Sequence, residues 1–164
     1  MAQTDTTTPR TDIRIDKDGV WFYRGQEMFR REIVNLFYEH LKQDERGEYI
    51  IDMGEDSCYV EVEDAPFVVR AVLTGPAERA TSPVCLLLSL SDDTLEPLDP
   101  ETIRIGDDNV MYCRVKGGTF KTRFSRAAYY QLAERIVYDA ASERYELHVD
   151  QKRYTLQTPR EKEN

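Results

Sequence analysis

The sequence predicts an α+β protein built from a duplicated strand-helix-strand-strand unit, and three observations point to it. Sliding the 164-residue chain by 96 positions lays Met28–Val60 on Phe124–Leu156 without a gap, matching Arg30 to Arg126, Leu36 to Leu132 and Tyr49 to Tyr145. Apolar residues keep the same register, with Ile33 on Tyr129, Leu41 on Val137 and Ile51 on Leu147. Each copy opens on an amphipathic helical stretch, and short alternating segments bounded by Gly and Pro make up the rest. Antiparallel strands with one helix per unit belong to the α+β class.

The elements follow in order. Asp12–Ile15 and Val20–Tyr23 read as strands joined by the turn-forming Asp16-Lys17-Asp18-Gly19. Phe29, Ile33, Leu36, Phe37 and Leu41 recur at helical spacing, which predicts a helix over Phe29–Leu41 with those residues on its buried face. Glu48–Met53 and Cys58–Val62 form a hairpin, and Phe67–Leu73 is a strand after the break at Pro66. Gly75–Pro83, rich in Gly, Pro and charge, is the expected domain boundary. Val84–Leu90 is apolar on both faces and reads as a central strand, and Asp92–Pro100 reads as an acidic loop. Thr102–Ile105, Val110–Val115 and Thr119–Phe124 are short strands, the last two joined at Lys116-Gly117-Gly118. Ser125 is placed to cap a helix over Arg126–Tyr138 with Tyr129, Leu132, Ala133 and Ile136 inward. A hairpin of Arg144–Val149 and Arg153–Gln157 closes the chain. The expected organisation is a disordered tail over 1–11, subdomains over 12–78 and 79–158 packed on one another, and a second tail over 159–164.

Composition narrows the function classes. The formal charge of -9 argues against binding a nucleic-acid polymer, which requires a cationic footprint. No apolar run is long enough to span a membrane and the polar start MAQTDTTTPR is no secretory leader, so a cytoplasmic protein without a membrane partner is expected. Cys58, Cys85 and Cys113 are widely spaced in apolar runs and read as three buried thiols; no metal site or cofactor is expected. His40 and His148 lie in no catalytic motif, and the carboxylates of Glu55–Asp64 match no calcium loop. A non-enzymatic protein is the expectation.

Against that acidic background, Val110–Ala133 carries Arg114, Lys116, Lys121, Arg123 and Arg126 and no acid. Lys121 and Arg123 share a strand face, and Arg126 lies in the first turn of a helix, where unpaired N–H groups favour an anion. Arg30 occupies the equivalent place in the other copy, so two arginines facing one seam could grip a diphosphate. Trp21 and Tyr130 are candidates to flank a planar base.

Asp18–Gly25, Arg30, the hexamer Val62-Glu63-Asp64-Ala65-Pro66-Phe67, Val115–Gly118, Arg123, Arg126 and Tyr130-Gln131-Leu132 together resemble the DUF1285 family of bacterial proteins over most of Asp12–Gln157. The resemblance implies a duplicated α+β architecture whose C-terminal half is superficially like a pleckstrin homology domain. It also implies a nucleotide-like ligand between the halves and a signalling role. The site expected from residues and resemblance together is Arg30, Arg126, Arg123, Lys121, Arg114, Trp21 and Tyr130, holding a nucleotide-like or other anionic small molecule. The competing expectation is a protein-interaction module, with a peptide or partner protein held on the C-terminal half.

Overall fold

The computed structural model describes residues 10–75, 85–149 and 152–158. The expected tail 1–11 lies outside them as far as residue 9, and Arg10 and Thr11 belong to the first strand instead. The expected tail 159–164 lies outside them altogether. The chain divides into two compact units, Met1–Asp64 and Ala65–Asn164.

In the first unit, β1 (Arg10–Ile15), β2 (Trp21–Tyr23) and β3 (Gln26–Glu27) form a meander. Asp16 shapes its first turn: Oδ1 accepts from the N–H groups of Asp18 and Val20, both at 2.9 Å. Helix α1 (Arg31–Glu39) follows, then a second meander of β4 (Leu41–Gln43), β5 (Tyr49–Asp52) and β6 (Ser57–Val62). The sheet order is β3-β2-β1-β6-β5-β4, with β1 and β6 parallel. Ile15, Trp21, Val34, Tyr38, Ile51 and Val60 are buried in this unit.

The second unit repeats the device. Its meanders are β7 (Phe67–Gly75), β8 (Cys85–Leu90) and β9 (Leu95–Pro97), then β10 (Arg104–Ile105), β11 (Met111–Val115) and β12 (Phe120–Phe124). A 3-10 turn, Pro100–Thr102, stands between them, where the first unit has a helix. The order β10-β11-β12-β7-β8-β9, with β12 parallel to β7, reproduces that of the first sheet. Helix α2 (Arg126–Ala133) then leads to a meander of β13 (Ile136–Asp139), β14 (Arg144–Val149) and β15 (Lys152–Thr155). Just past β15, Gln157 makes one parallel bridge with Arg104 of β10. The first strand of one meander therefore meets the last strand of the next three times, at β1–β6, β7–β12 and β10–β15.

Several expectations need correction. The boundary falls at Asp64/Ala65 and not at Gly75–Pro83, because β7 pairs with both β8 and β12 and so belongs to the second unit; residues 76–84 themselves lie outside the described part. The acidic loop Asp92–Pro100 contains β9, which completes a meander. Both helices are shorter than expected: Leu41 opens β4 opposite Ile51, and Ile136 opens β13 opposite Leu147. Of the cysteines only Cys113 is buried, while Cys58 and Cys85 are half-buried.

The buried helix faces also differ from expectation. Helix α1 buries Val34 and Tyr38, and Phe29 is 78% exposed; helix α2 buries Ala128 and Leu132. Those buried pairs stand 94 positions apart, whereas β5–β6 and β14–β15 keep the spacing of 96, as in Ile51↔Cys58 and Leu147↔Tyr154. The gap-free repeat is thus true of the last hairpin and slips in the helix. Aromatic packing turns α1: the Tyr38 ring meets Trp21 edge-on with centroids 4.9 Å apart, which draws the 34/38 face inward.

Candidate functional site

The expected cationic cluster is assembled in part. In β11–β12, Tyr112 pairs with Arg123 and Arg114 with Lys121, so these four residues share one face of the ribbon. Lys121 Nζ stands 4.3 Å from the centroid of the Tyr112 ring. Arg114 Nη1 donates to the carbonyl oxygens of Gly118 at 3.4 Å and Thr119 at 3.3 Å, bracing the hairpin turn. Gly117 and Gly118 both have positive φ, 70° and 84°, which the turn needs and which explains the glycine pair. Lys116 is engaged elsewhere, its Nζ 2.9 Å from Asp92 Oδ2 and 2.9 Å from Thr94 Oγ1.

Arg126 is the first residue of α2, directly after Ser125, whose hydroxyl accepts from the Ala128 N–H at 3.2 Å. Arg126 is exposed, and among the described residues its side chain has no hydrogen-bonding or ionic partner. Arg30 is the N-cap residue of α1 in the first unit and makes no side-chain cap. Its side chain borders an apolar groove of about 330 Å³ lined by Ile13, Tyr23, Met28, Phe29, Ile33 and Phe37.

Trp21 does not belong to any site: it is only 2% exposed and packs on Phe37 and Tyr38, so it cannot stack on a ligand. Its Nε1–H is buried without an acceptor among the described residues. Tyr130 points outward, 63% exposed, its ring 5.9 Å from that of Tyr129.

Tyr129, not Tyr130, faces a hollow. A groove of about 1140 Å³ runs between α2, at Tyr129 and Ala133, the β10–β11 turn, at Ile105–Asp107 and Asn109, and β13–β14, at Tyr138 and Arg144-Tyr145. Leu156 and Thr158 complete it. Tyr138 and Tyr145 oppose one another across β13–β14, rings 5.1 Å apart, on the same face as the fully buried Leu147. Sequence reading missed them, having placed Tyr138 at the end of a helix. The alternation of Tyr145, Leu147 and Val149 was the available signal, because it puts Tyr145 on the inward face.

Charges elsewhere serve structure. Asp139 closes the β13–β14 turn by accepting from Ser142 Oγ at 2.7 Å and the Ala141 N–H at 3.2 Å, which holds its carboxyl below the usual range. Asp52 is lowered likewise, first by its hydrogen bond from Lys42 and then by the Gly54 N–H. Among the described residues, no group of His, Cys, Asp and Glu side chains could hold a metal ion. No helix among them is long and apolar enough to cross a membrane.

Comparison with known proteins agrees with this architecture. The family model "Domain of unknown function (DUF1285), N-terminal domain" matches residues 5–65, ending where the first unit ends. A solved DUF1285 family protein from Silicibacter pomeroyi DSS-3 superposes with a TM-score of 0.73 at 24% identity, over 95% of this chain and 85% of that one. A second, from Shewanella baltica OS155, gives 0.61 at 25% identity, over 76% of this chain and 91% of that one. No match was found among curated proteins. By sequence in its first unit, and by fold over nearly its whole length, the chain is similar to the DUF1285 proteins.

Proposed function

We propose that this protein binds a small phosphorylated, nucleotide-like ligand without transforming it, in a cytoplasmic signalling role. The observation that carries the reading is Arg126: an exposed guanidinium in the first turn of a capped helix, with no partner among the described residues, in a chain of net charge -9. Helix N-termini and arginine forks both favour phosphate oxygens. Lys121 and Arg123, on the strand leading into that helix, add positive potential. Titration calorimetry with nucleoside mono-, di- and triphosphates tests the reading. Arg126→Ala is expected to weaken binding at least tenfold, in keeping with ~1.5–3 kcal/mol for a charged hydrogen bond. Equal affinity of variant and wild type, or no binding by either, overturns it.

A second reading, a protein-interaction module, is favoured by the apolar groove beside Phe29 and the exposed Tyr23 in the first unit. Recovery of a stoichiometric partner by wild type but not by Phe29→Ser supports it. Equal recovery by both counts against it.

A further inference from the structure

We infer that the groove between α2 and the β13–β14 hairpin is a binding site for a planar, uncharged ring. The inference rests on the small-ligand reading above and adds to it where the ring of such a ligand lies.

Strand alternation comes first. Ile136, Tyr138, Tyr145, Leu147, Tyr154 and Leu156 are placed by register on one face of the three-stranded sheet. Leu147 and Leu156 on that face are fully covered, yet Tyr138 is 52% and Tyr145 46% exposed. The inward face of the sheet is therefore sealed at one end and open at the other. Solvent-open aromatics are common on outer faces; a pair on the inner face, beside a buried leucine, leaves apolar area for something else to cover.

The opening has a structural cause. In the first unit, β6 lies beside β1 with Arg14↔Glu61 and Ile15↔Val62 in register. There the matching hollow holds about 450 Å³ and is lined, among the described residues, by 47–49 and 59–62. In the second unit β10 and β15 meet at the single bridge Arg104↔Gln157. The same end of the hairpin, at Glu143, Arg144, Tyr145, Leu156 and Thr158, now opens toward Tyr129 and Ala133 of α2 and toward the β10–β11 turn. Ala133 matters because a methyl group leaves the floor of the groove free.

The lining chooses the ligand class. Three tyrosines line the groove, and aromatic rings hold planar rings without demanding a sequence of substituents. Asp107 and Glu143 oppose Arg144 in charge, so the groove has no strong preference for an anion. Asn109, Ser142 and Thr158 supply hydrogen-bonding groups for a ring edge. A volume somewhat above that of ordinary ligand pockets, roughly 300–1,000 Å³, admits one ring system and its substituents.

The experiment separates ring from phosphate. Amide chemical shifts of the full chain are followed by NMR during titration with the four common ribonucleosides, indole and inorganic pyrophosphate. The nucleosides or indole are expected to shift the amides of Tyr129, Tyr138 and Tyr145. Ala133→Phe, which fills the groove, and Tyr138→Ala, which removes a half-exposed wall, are each expected to weaken that binding at least tenfold while pyrophosphate binding is retained. Preserved spectral dispersion establishes that each variant is folded, and Tyr138→Ala decides the matter if Ala133→Phe is not. Ring probes that bind wild type and both folded variants equally, or that bind nowhere in wild type, overturn the groove even when pyrophosphate still binds. Failure of pyrophosphate alone overturns the phosphate reading and leaves the groove standing.

Discussion

In the first unit β1 and β6 run side by side as neighbours in one six-stranded sheet, whereas in the second β10 and β15 touch at one bridge and their meanders lie in separate sheets. The connection order is the same: a three-stranded meander, a helix, another meander, and a parallel return to the first strand. One difference in pairing changes what each unit exposes. The joined sheet presents Tyr49 and Val60 to a small hollow, and the parted one turns the equivalent Tyr145 and Leu156 into the wall of a large groove. Duplication supplied the topology, and the extent of strand pairing decided whether a site was left open.

The helices differ in the same sense. Helix α1 is held by aromatics and α2 by small and aliphatic groups, so truncation tests the comparison most strongly. Trp21→Ala is expected to cost ~3–5 kcal/mol, and Leu132→Ala ~2–5 kcal/mol, in denaturant unfolding followed by circular dichroism. A loss below 1 kcal/mol for Trp21→Ala would show that its buried, unpaired Nε1–H offsets most of the packing around it.

A smaller effect is expected where the second unit relies on one hydroxyl. Ser91 Oγ accepts from the buried Val68 N–H at 3.0 Å, and the Ser91 N–H returns a bond to the Val68 carbonyl at 2.9 Å. Ser91→Ala leaves the Val68 donor without its acceptor, and ~1–3 kcal/mol of destabilisation is expected in the same unfolding assay. No measurable loss would mean that another acceptor takes over.

Thiol chemistry also separates positions. Burial, helped by Glu96 and Asp99, pushes the Cys113 thiol up to about 12, so it carries almost no thiolate at pH 8. Cys58 and Cys85 are half-buried. Alkylation of native protein at that pH, read by mass spectrometry, is expected to modify Cys58 and Cys85 and to reach Cys113 only after unfolding. Early labelling of Cys113 would show that the β11 region opens.

The smallest effect is in the pH dependence of stability. Asp52 and Asp139 are both lowered in the folded state by the hydrogen bonds they accept. A depressed carboxylate contributes stability that is present above its unfolded pKa of about 3.9 and is lost as pH falls through the folded value. Asp139→Asn should therefore lower the neutral plateau of a melting-temperature profile slightly and leave the acid end almost unchanged, which flattens the acid limb. Both carboxylates are half-buried with solvent access that screens them, so the shift is modest. A drop of the neutral plateau equal to that in acid would assign the turn's stability to geometry rather than charge.

Much of this was legible in the chain. The Asp16–Gly19 turn, the β5–β6 hairpin, the Ser125 cap, the Gly117-Gly118 turn and the shared face of Lys121 and Arg123 all depend on neighbours within a few residues. The candidate site was legible only in part. Arg126 was found because charge and helix position are local, whereas Trp21 was misplaced because an aromatic reads alike in a core and on a binding face. Tyr138 was hidden because Ile136, Val137 and Tyr138 continue the helical spacing of α2 while forming β13.

By itself the sequence determined the α+β class, the recurrence of helix and hairpin, and the cationic stretch before α2, since each follows from periodicity, turn chemistry or composition. Tertiary structure alone decided which helix face is buried, where the first unit ends and that β10 and β15 part. Those outcomes depend on which distant surfaces meet, as Tyr38 meets Trp21 or Gln157 meets Arg104, and no local pattern encodes the partner.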